Sequence, residues 1–309
     1  MIEGSVPKKR PLLRQVLKNR TLYLFLLPAL LYLGIFQYAP LYGLQIAFRD
    51  FVPVQGVWGS EWVGFKYFEN FFNSYSFWTL LKNTLLLSLY ELLVSFPFPI
   101  LLALVLTYTP IPWLKKVTQT VTYAPHFISI VVLVGMLFVF LSPSSGIINI
   151  VIRAFGGTEI DFLGDPGIFR HLFVWSGVWQ TAGWASIIYI AALASVSPEL
   201  HEAATVDGAS KLQRIWNIDI PSILPTAIIL LILNVGQVMN VGFEKTFLMQ
   251  TAPNLSTSEV ISTYVYKIGI QGAQFSYASA IGLFNNVINF IVLIAVNKLA
   301  NKTTKSGLW

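Results

Sequence analysis

The chain has 309 residues, of which 55% are hydrophobic and only 11% charged, and its mean hydropathy is +0.66. Soluble domains carry roughly 25% charged residues, so this composition excludes an ordinary soluble fold and favours a membrane protein with several spans. The absence of cysteine excludes disulfides, thiolate nucleophiles and cysteine zinc sites, and we interpret the net charge of +6 as a sign of membrane orientation rather than of nucleic-acid binding.

Six apolar segments are long enough to cross a bilayer as helices. They cover approximately residues 21–47, 83–114, 118–141, 172–196, 220–241 and 277–296. The first follows a basic arm, PKKRPLLRQVLKNR, and no small-residue cleavage site follows it, so we expect it to be retained rather than removed as a signal peptide. We expect the second to be one helix, bent near Pro97 and Pro99.

Six spans place both termini on one side of the membrane, and most basic residues fall on that side. The majority side is Lys8, Lys9, Arg10, Arg14, Lys18, Arg20, Lys115, Lys116, Lys211, Arg214, Lys298, Lys302 and Lys305, and the other side holds Arg49, Lys66, Lys82, Arg153, Arg170, Lys245 and Lys267. Because cytoplasmic loops carry an excess of Lys and Arg, both termini are predicted to be cytoplasmic.

The predicted outer loop between the first two spans is rich in aromatic residues. We expect an amphipathic helix in the outer interface, where aromatic rings prefer to sit. A docking surface for an external partner is the alternative. The rings include Trp58, Trp62, Phe65, Tyr67, Phe68, Phe71, Phe72, Phe77 and Trp78.

The sequence contains neither a G-x-x-x-x-G-K-[ST] phosphate loop nor an H-E-x-x-H helix. His126, His171 and His201 fall in different segments, which argues against a metal site. Glu91 is the one acid clearly inside a predicted span, and the sequence shows no basic partner for it. We favour hydrogen bonding between helices for Glu91 over a proton relay.

A short charged segment, residues 197–221, separates the fourth and fifth spans and includes HEAATVDGASKLQRIWNIDIP. Ser197 and Pro198 predict a helix start, and Gly208 predicts a turn at positive φ. A second short helix is expected to place its apolar side chains on one face, at Leu212, Ile215 and Trp216. The segment is therefore predicted to form a helix-turn-helix against the inner membrane face.

The same segment resembles the E-A-A-x3-G-x9-I-x-L-P signature of ABC importer permeases, with Ile220 in place of the leucine. Further stretches resemble sugar-importer permeases of the maltose-transporter type, in the subgroup for polysaccharide or complex oligosaccharide uptake. These stretches are LLPALLYLGIFQYAPLYGLQIAFRDF, WVGFKYFENFF, YAPHFIS and STYVYKIGIQGAQFSYASAIGLFNNVIN. The resemblance covers approximately residues 10–300.

The resemblance implies an all-α polytopic membrane protein with six transmembrane helices, the type I ABC importer permease fold, and a cytoplasmic coupling helix between spans four and five. The residues it implies for ATPase coupling are Glu202, Ala203, Ala204, Asp207, Gly208, Ile218 and Pro221. It further implies a second permease subunit, which we expect to be a different homologous chain, two cytoplasmic ATPase subunits and an extracellular sugar-binding protein. ATP and Mg²⁺ would bind those ATPases and no cofactor would bind this chain, which would lie in a bacterial inner membrane.

We divide the chain on this basis into four parts. Residues 1–20 are a basic cytoplasmic arm, and residues 21–79 are the first transmembrane helix and the aromatic outer loop. Residues 80–300 form a five-helix core that holds the coupling loop at 197–221, and residues 301–309 are a cytoplasmic tail.

Polar residues inside the spans are candidates for the substrate path. Those in span five recur at spacings of three, three and four and predict one helical stripe, namely Asn234, Gln237, Asn240 and Glu244. Trp179 and Trp184 of span four offer flat rings to sugars. Hydrogen bonding between helices is the alternative, and it is favoured for Asn285, Asn286 and Asn289 of span six.

The sequence therefore predicts a permease subunit of an ATP-driven importer for a complex oligosaccharide or polysaccharide fragment, and not an enzyme. A stand-alone secondary sugar transporter or channel is the first alternative. An integral membrane enzyme is the second, and it would require a cluster of acids, bases or metal ligands at one membrane depth.

Overall fold

Long apolar helices make up most of residues 20–304, which are the residues that this computed structural model describes. The predicted basic arm and the end of the tail lie outside them. Counting one bent pair as a single span, six spans are present: Arg20–Phe48 (span one), Phe77–Tyr108 (span two), Pro112–Phe127 with Ile130–Phe140 (span three), Pro166–Ala194 (span four), Lys211–Val235 (span five) and Phe275–Lys302 (span six). The helix of span six continues to Thr304.

Short helices and a two-stranded sheet connect the spans. In chain order these are β1 (Arg49–Asp50), α1 (Gly56–Gly59), β2 (Glu61–Trp62), α2 (Lys66–Phe72), α3 (Ile147–Ala154), α4 (Pro198–Val206), α5 (Phe243–Met249), α6 (Leu255–Ser258) and α7 (Ile261–Tyr266), the last continued by a π-turn at Lys267–Gln271. The strands pair antiparallel, with Arg49 opposite Trp62. This small sheet is an addition to the predicted all-helical fold.

Span three differs from the single helix over approximately residues 118–141 that the sequence predicts. Its two helices meet at 102° around a 3₁₀ turn, Ala124–Phe127. Pro125 lies in that turn and cannot donate a backbone hydrogen bond, while Ser129 caps the second helix by accepting a 3.3 Å hydrogen bond from the amide of Val132. The bend therefore follows from a proline and a capping serine four residues apart.

Span one lies close to its predicted position, whereas span two begins and ends about six residues before the predicted 83–114. Span one is α-helical to Tyr32, a π-helix over Leu33–Tyr38 and a 3₁₀-helix over Ala39–Phe48. The helix assignment of span two is interrupted only at Phe96, and Pro97 and Pro99 fall in the first turn of the helix that follows. The interruption thus falls where the prolines predict the bend.

The loop between spans one and two is fixed by polar contacts. Tyr67 donates a 2.6 Å hydrogen bond to Asp50, and the backbone amide of Phe51 donates to Ser276 at the start of span six. The hydrogen bond from Tyr67 holds the pKa of Asp50 below its usual range, and burial together with Asp50 raises the pKa of Tyr67 to about 12. The predicted amphipathic helix corresponds to α2, in which Phe71 is buried and Glu69 exposed.

Span four lies at the centre of the packing. Phe169, Phe173 and Val178 of this span form one apolar cluster with Leu87 of span two and Met249 of α5. At its other end, Tyr189 and Leu193 join a second cluster with residues of spans two and five. The side chains of span one, in contrast, are mostly exposed in the isolated chain.

Gly183 allows span four to touch span three. An ideal Cβ at Gly183 would lie 2.0 Å from the carbonyl oxygen of Thr122, far inside van der Waals contact. Any side chain at this position would therefore force the two helices apart.

We predict that Gly183→Ala lowers the free energy of unfolding by about 1–3 kcal/mol, the usual cost of overpacking. The unfolding temperature of the purified protein in detergent measures this. Gly135→Ala in span three is the matched control, because nothing lies within 4 Å of its ideal Cβ. Equal unfolding temperatures for the two variants would contradict the close approach of spans three and four at Gly183.

Candidate functional site

The charged segment begins with α4 and turns at Gly208. The helix starts at Pro198, as predicted, although the side chain of Ser197 makes no capping hydrogen bond. Gly208 has a φ of +78°, which confirms the predicted turn and explains the glycine, since other residues rarely adopt this conformation. Ser210 and Gln213 then form a capping box that starts the next helix.

The second half of the charged segment corrects the predicted helix-turn-helix. Lys211–Arg214 continues through a π-turn, Ile215–Asp219, directly into the rest of span five. A proline ring normally clashes with the carbonyl four residues earlier, and the wider π-turn lies immediately before Pro221. There is thus one short helix, α4, and then the base of a continuous span.

The predicted coupling residues lie mostly on the surface. Glu202, Ala203, Asp207, Gly208 and Pro221 are exposed, and Ala204 and Ile218 are half-buried. Three apolar side chains nearby are also strongly exposed, at Val206, Leu212 and Trp216. Of the predicted apolar face, Ile215 packs inward, and Leu212 and Trp216 are exposed in the isolated chain.

A buried carboxylate connects α4 to two spans. Asp219, whose side chain is 2% exposed, accepts a 2.6 Å hydrogen bond from the hydroxyl of Tyr108 at the end of span two. Its other oxygen lies 3.3 Å from Nε2 of His201 on α4. This contact could not be recognised from the sequence. The motif I-x-L-P does not specify the residue at the position of Asp219, and Tyr108 is 111 positions away.

A cavity of about 460 Å³ lies between spans two, four and five. Three members of the predicted polar stripe line it, and they are Asn234, Gln237 and Asn240. Further polar lining comes from Ser88, Glu91 and Thr181. Glu244, Trp179 and Trp184 do not line this cavity, so the structure brings together only part of the predicted path.

The polar stripe is not one helical stripe, which corrects the sequence prediction. Span five ends at Val235, a turn follows, and Glu244 lies on the separate helix α5. Asn289 of span six accepts from the amide of Met239 at 3.2 Å and donates to the carbonyl of Gly236, which fixes both sides of the turn.

Asn285 completes this arrangement. Its amide donates to the carbonyl of Met239 at 3.2 Å and to the side chain of Asn240 at 3.0 Å. The favoured expectation for the asparagines of span six, hydrogen bonding to neighbouring segments, is therefore confirmed for Asn285 and Asn289. Asn286 is exposed and borders a second cavity.

Glu91 has a basic neighbour that the sequence did not reveal. Lys245 is 6% exposed, donates a 2.7 Å hydrogen bond to the carbonyl of Phe173 and lies over the Phe173 ring. An ideal Cβ on Gly177 would lie 3.1 Å from Lys245 Nζ and 4.0 Å from Glu91 Oε1, so this glycine leaves space for both charges. Lys245 therefore belongs to the interior and not to an exposed loop.

The three histidines have separate neighbours. His126 stacks on Trp184 with the ring planes 1° apart, His171 shares a 2.8 Å hydrogen bond with Tyr90, and His201 contacts Asp219. Within residues 20–304 no group of His, Asp and Glu is arranged to hold a metal ion.

Six apolar crossings, a polar cavity among them and an exposed charged segment between spans four and five are the features of the permease class of membrane transport protein. A family model described as "Binding-protein-dependent transport system inner membrane component" matches residues 81–305. The chain belongs to this family, which is a transport component and not an enzyme.

Curated relatives match the chain over nearly its whole length. It is 42% identical over 316 residues to protein LplB of Bacillus subtilis (strain 168), covering 99% of each chain. It is also 42% identical over 302 residues to the polygalacturonan/rhamnogalacturonan transport system permease protein YteP of the same organism, covering 98% of this chain and 94% of the relative.

A solved structure shows the fold. A chain of a bacterial alginate ABC transporter, crystallised in complex with an alginate pentasaccharide-bound periplasmic protein, is 39% identical with a TM-score of 0.91. The match covers 97% of this chain and 100% of that chain. The predicted type I ABC importer permease fold is confirmed.

We predict that Asn289→Leu lowers the free energy of unfolding by about 2 kcal/mol, because two backbone groups of the turn lose their partner. Asn286→Leu is the matched control, since Asn286 lies on the same helix but its side chain is exposed and makes no hydrogen bond to residues 20–304. Thermal unfolding in detergent distinguishes the variants, and equal losses in both would exclude a special role for Asn289.

Proposed function

We propose that this chain is the permease subunit through which an ATP-driven importer moves a complex oligosaccharide or polysaccharide fragment across a bacterial inner membrane. The observation that carries the proposal is the exposed docking segment joined to a span that reaches a polar cavity. Relatives that match along nearly the whole chain and are named for polygalacturonan/rhamnogalacturonan and alginate transport support the substrate class.

The cavity supports a carbohydrate cargo. Amide side chains both donate and accept hydrogen bonds, as sugar hydroxyls do, and the cavity presents three of them, at Asn234, Gln237 and Asn240. Its volume of about 460 Å³ lies within the range of small-molecule sites. The cavity therefore suits one short portion of a sugar chain at a time.

The charged segment supports docking to an ATPase. Glu202, Ala203 and Asp207 are exposed on or beside α4, where the small alanine lets another protein approach closely. Because the sequence has no nucleotide-binding loop, we assign ATP and Mg²⁺ to two cytoplasmic ATPase partners. Gly208 would provide the turn, and Pro221 would lie where the docked segment enters span five.

We assign three further features to the assembled transporter. A second, different permease chain would complete the translocation path, and an extracellular sugar-binding protein would deliver the cargo. Both termini and the charged segment would be cytoplasmic, on the side with most basic residues. The aromatic loop between spans one and two would then face outward.

Purification of the tagged chain from its native host, with gentle solubilisation, tests the proposal. We expect an ATPase to co-purify and uptake into proteoliposomes to require ATP, with a panel of neutral and acidic oligosaccharides identifying the cargo. Uptake by the chain alone, without any ATPase, would instead support a secondary transporter or channel.

We predict that Gly208→Leu abolishes ATP-dependent uptake while the protein still accumulates in the membrane, because a side chain at positive φ distorts the docking turn. Gly56→Leu is the matched control, since Gly56 also has a positive φ, +66°, but lies in the loop between spans one and two. Normal uptake by Gly208→Leu would remove the docking assignment.

A further inference from the structure

The contact around Asp219 has no task in docking or in binding sugar, yet it is the most buried charged contact of the charged segment. One side-chain oxygen of Asp219 accepts a 2.6 Å hydrogen bond from the hydroxyl of Tyr108, and the other lies 3.3 Å from Nε2 of His201. Each oxygen therefore has its own polar partner.

The three residues belong to three separate elements. Tyr108 ends span two, His201 lies on α4, and Asp219 lies at the base of span five. A second polar contact lies beside them, where Arg214 of span five donates a 3.1 Å hydrogen bond to Thr205 of α4. The guanidinium of Arg214 also lies 6.0 Å from the centre of the Tyr108 ring.

Helix α4 contributes no buried residue, so burial of apolar side chains adds little to its attachment. The polar contacts of His201 and Thr205 connect it to the spans. A buried carboxylate that loses its donors is strongly unfavourable, so Asp219 and its partners should move together rather than separate.

We infer that Asp219 is a positioning residue that transmits displacement of α4 to spans two and five at once. This inference rests on the proposed function, in which α4 is the element that an ATPase moves. Asp219 touches neither nucleotide nor sugar, and it acts by keeping the docked helix and the two cavity-lining spans in a fixed relation.

A coupling role and a merely structural role have different consequences. If Asp219 only stabilised the fold, its loss would reduce ATP hydrolysis and uptake in proportion to the loss of assembled complex. If Asp219 transmits motion, the complex still hydrolyses ATP, but each ATP moves less sugar. Sugar transported per ATP hydrolysed is therefore the decisive quantity.

The experiment uses the complete transporter, with its ATPases and binding protein, in proteoliposomes supplied with a sugar that the wild type imports. We expect Tyr108→Phe, His201→Leu and Asp219→Leu each to lower sugar transported per ATP by about tenfold, with basal ATPase activity retained. His201→Gln keeps an N–H donor and should restore most of the ratio.

Ser222→Ala is the matched control for Tyr108→Phe, because its hydroxyl donates only to the carbonyl of Ile218 in its own helix. An unchanged ratio in Tyr108→Phe and His201→Leu would overturn the inference, as would equal ratios in His201→Leu and His201→Gln. If Asp219→Leu does not accumulate, these milder variants decide. ATP-independent uptake by the wild type would instead refute the proposed function itself.

Discussion

A polar group inside a bilayer must find its partner within the protein, and this constraint explains where the spans of this chain break. The turn after Val235 exposes backbone groups that Asn289 and Asn285 satisfy from span six. A backbone group at the bend in span three is also satisfied, since Gln180 of span four donates a 2.7 Å hydrogen bond to the carbonyl of Ile128. These two breaks are therefore each fixed by a side-chain amide from a neighbouring span.

The turn after Val235 gives the cavity part of its polar wall, at Gln237 and Asn240. Span five runs without interruption for 25 residues from Lys211 to Val235, which is about 38 Å at the rise of a helix. This helix includes the π-turn and Pro225, and it connects the charged segment directly to Asn234 and the turn beyond it. In the proposed transporter, this is how a cytoplasmic event would reshape a distant sugar path.

The long apolar windows and the positive φ of Gly208 could be predicted, because both depend on a single stretch of sequence. The family motif located the charged segment for the same reason. Periodicity failed after Val235, where it continued the helix through two glycines, because it cannot represent competition from asparagines in span six. The π-turn before Pro221 was also missed, since the proline alone indicates only a boundary.

The buried charges were beyond sequence reasoning because their partners are far apart in the chain. Tyr108 and Asp219 are separated by 111 positions, and Lys245 and Phe173 by 72. A charge count placed Lys245 in a loop, although its ammonium group points into the packing around span four. Only the fold shows that Glu91 has a basic neighbour and that Asp219 contacts both Tyr108 and His201.

The central claim is that events at the charged segment open and close the cavity, and cysteine labelling tests it directly, because the chain has no native cysteine. Gln237→Cys in the complete transporter would be exposed to a membrane-impermeant maleimide from each side, with and without trapped ATP. The account predicts that the accessible side changes with ATP and that adding Gly208→Leu abolishes the change. Labelling that is independent of ATP, or that still switches in the double variant, would contradict it.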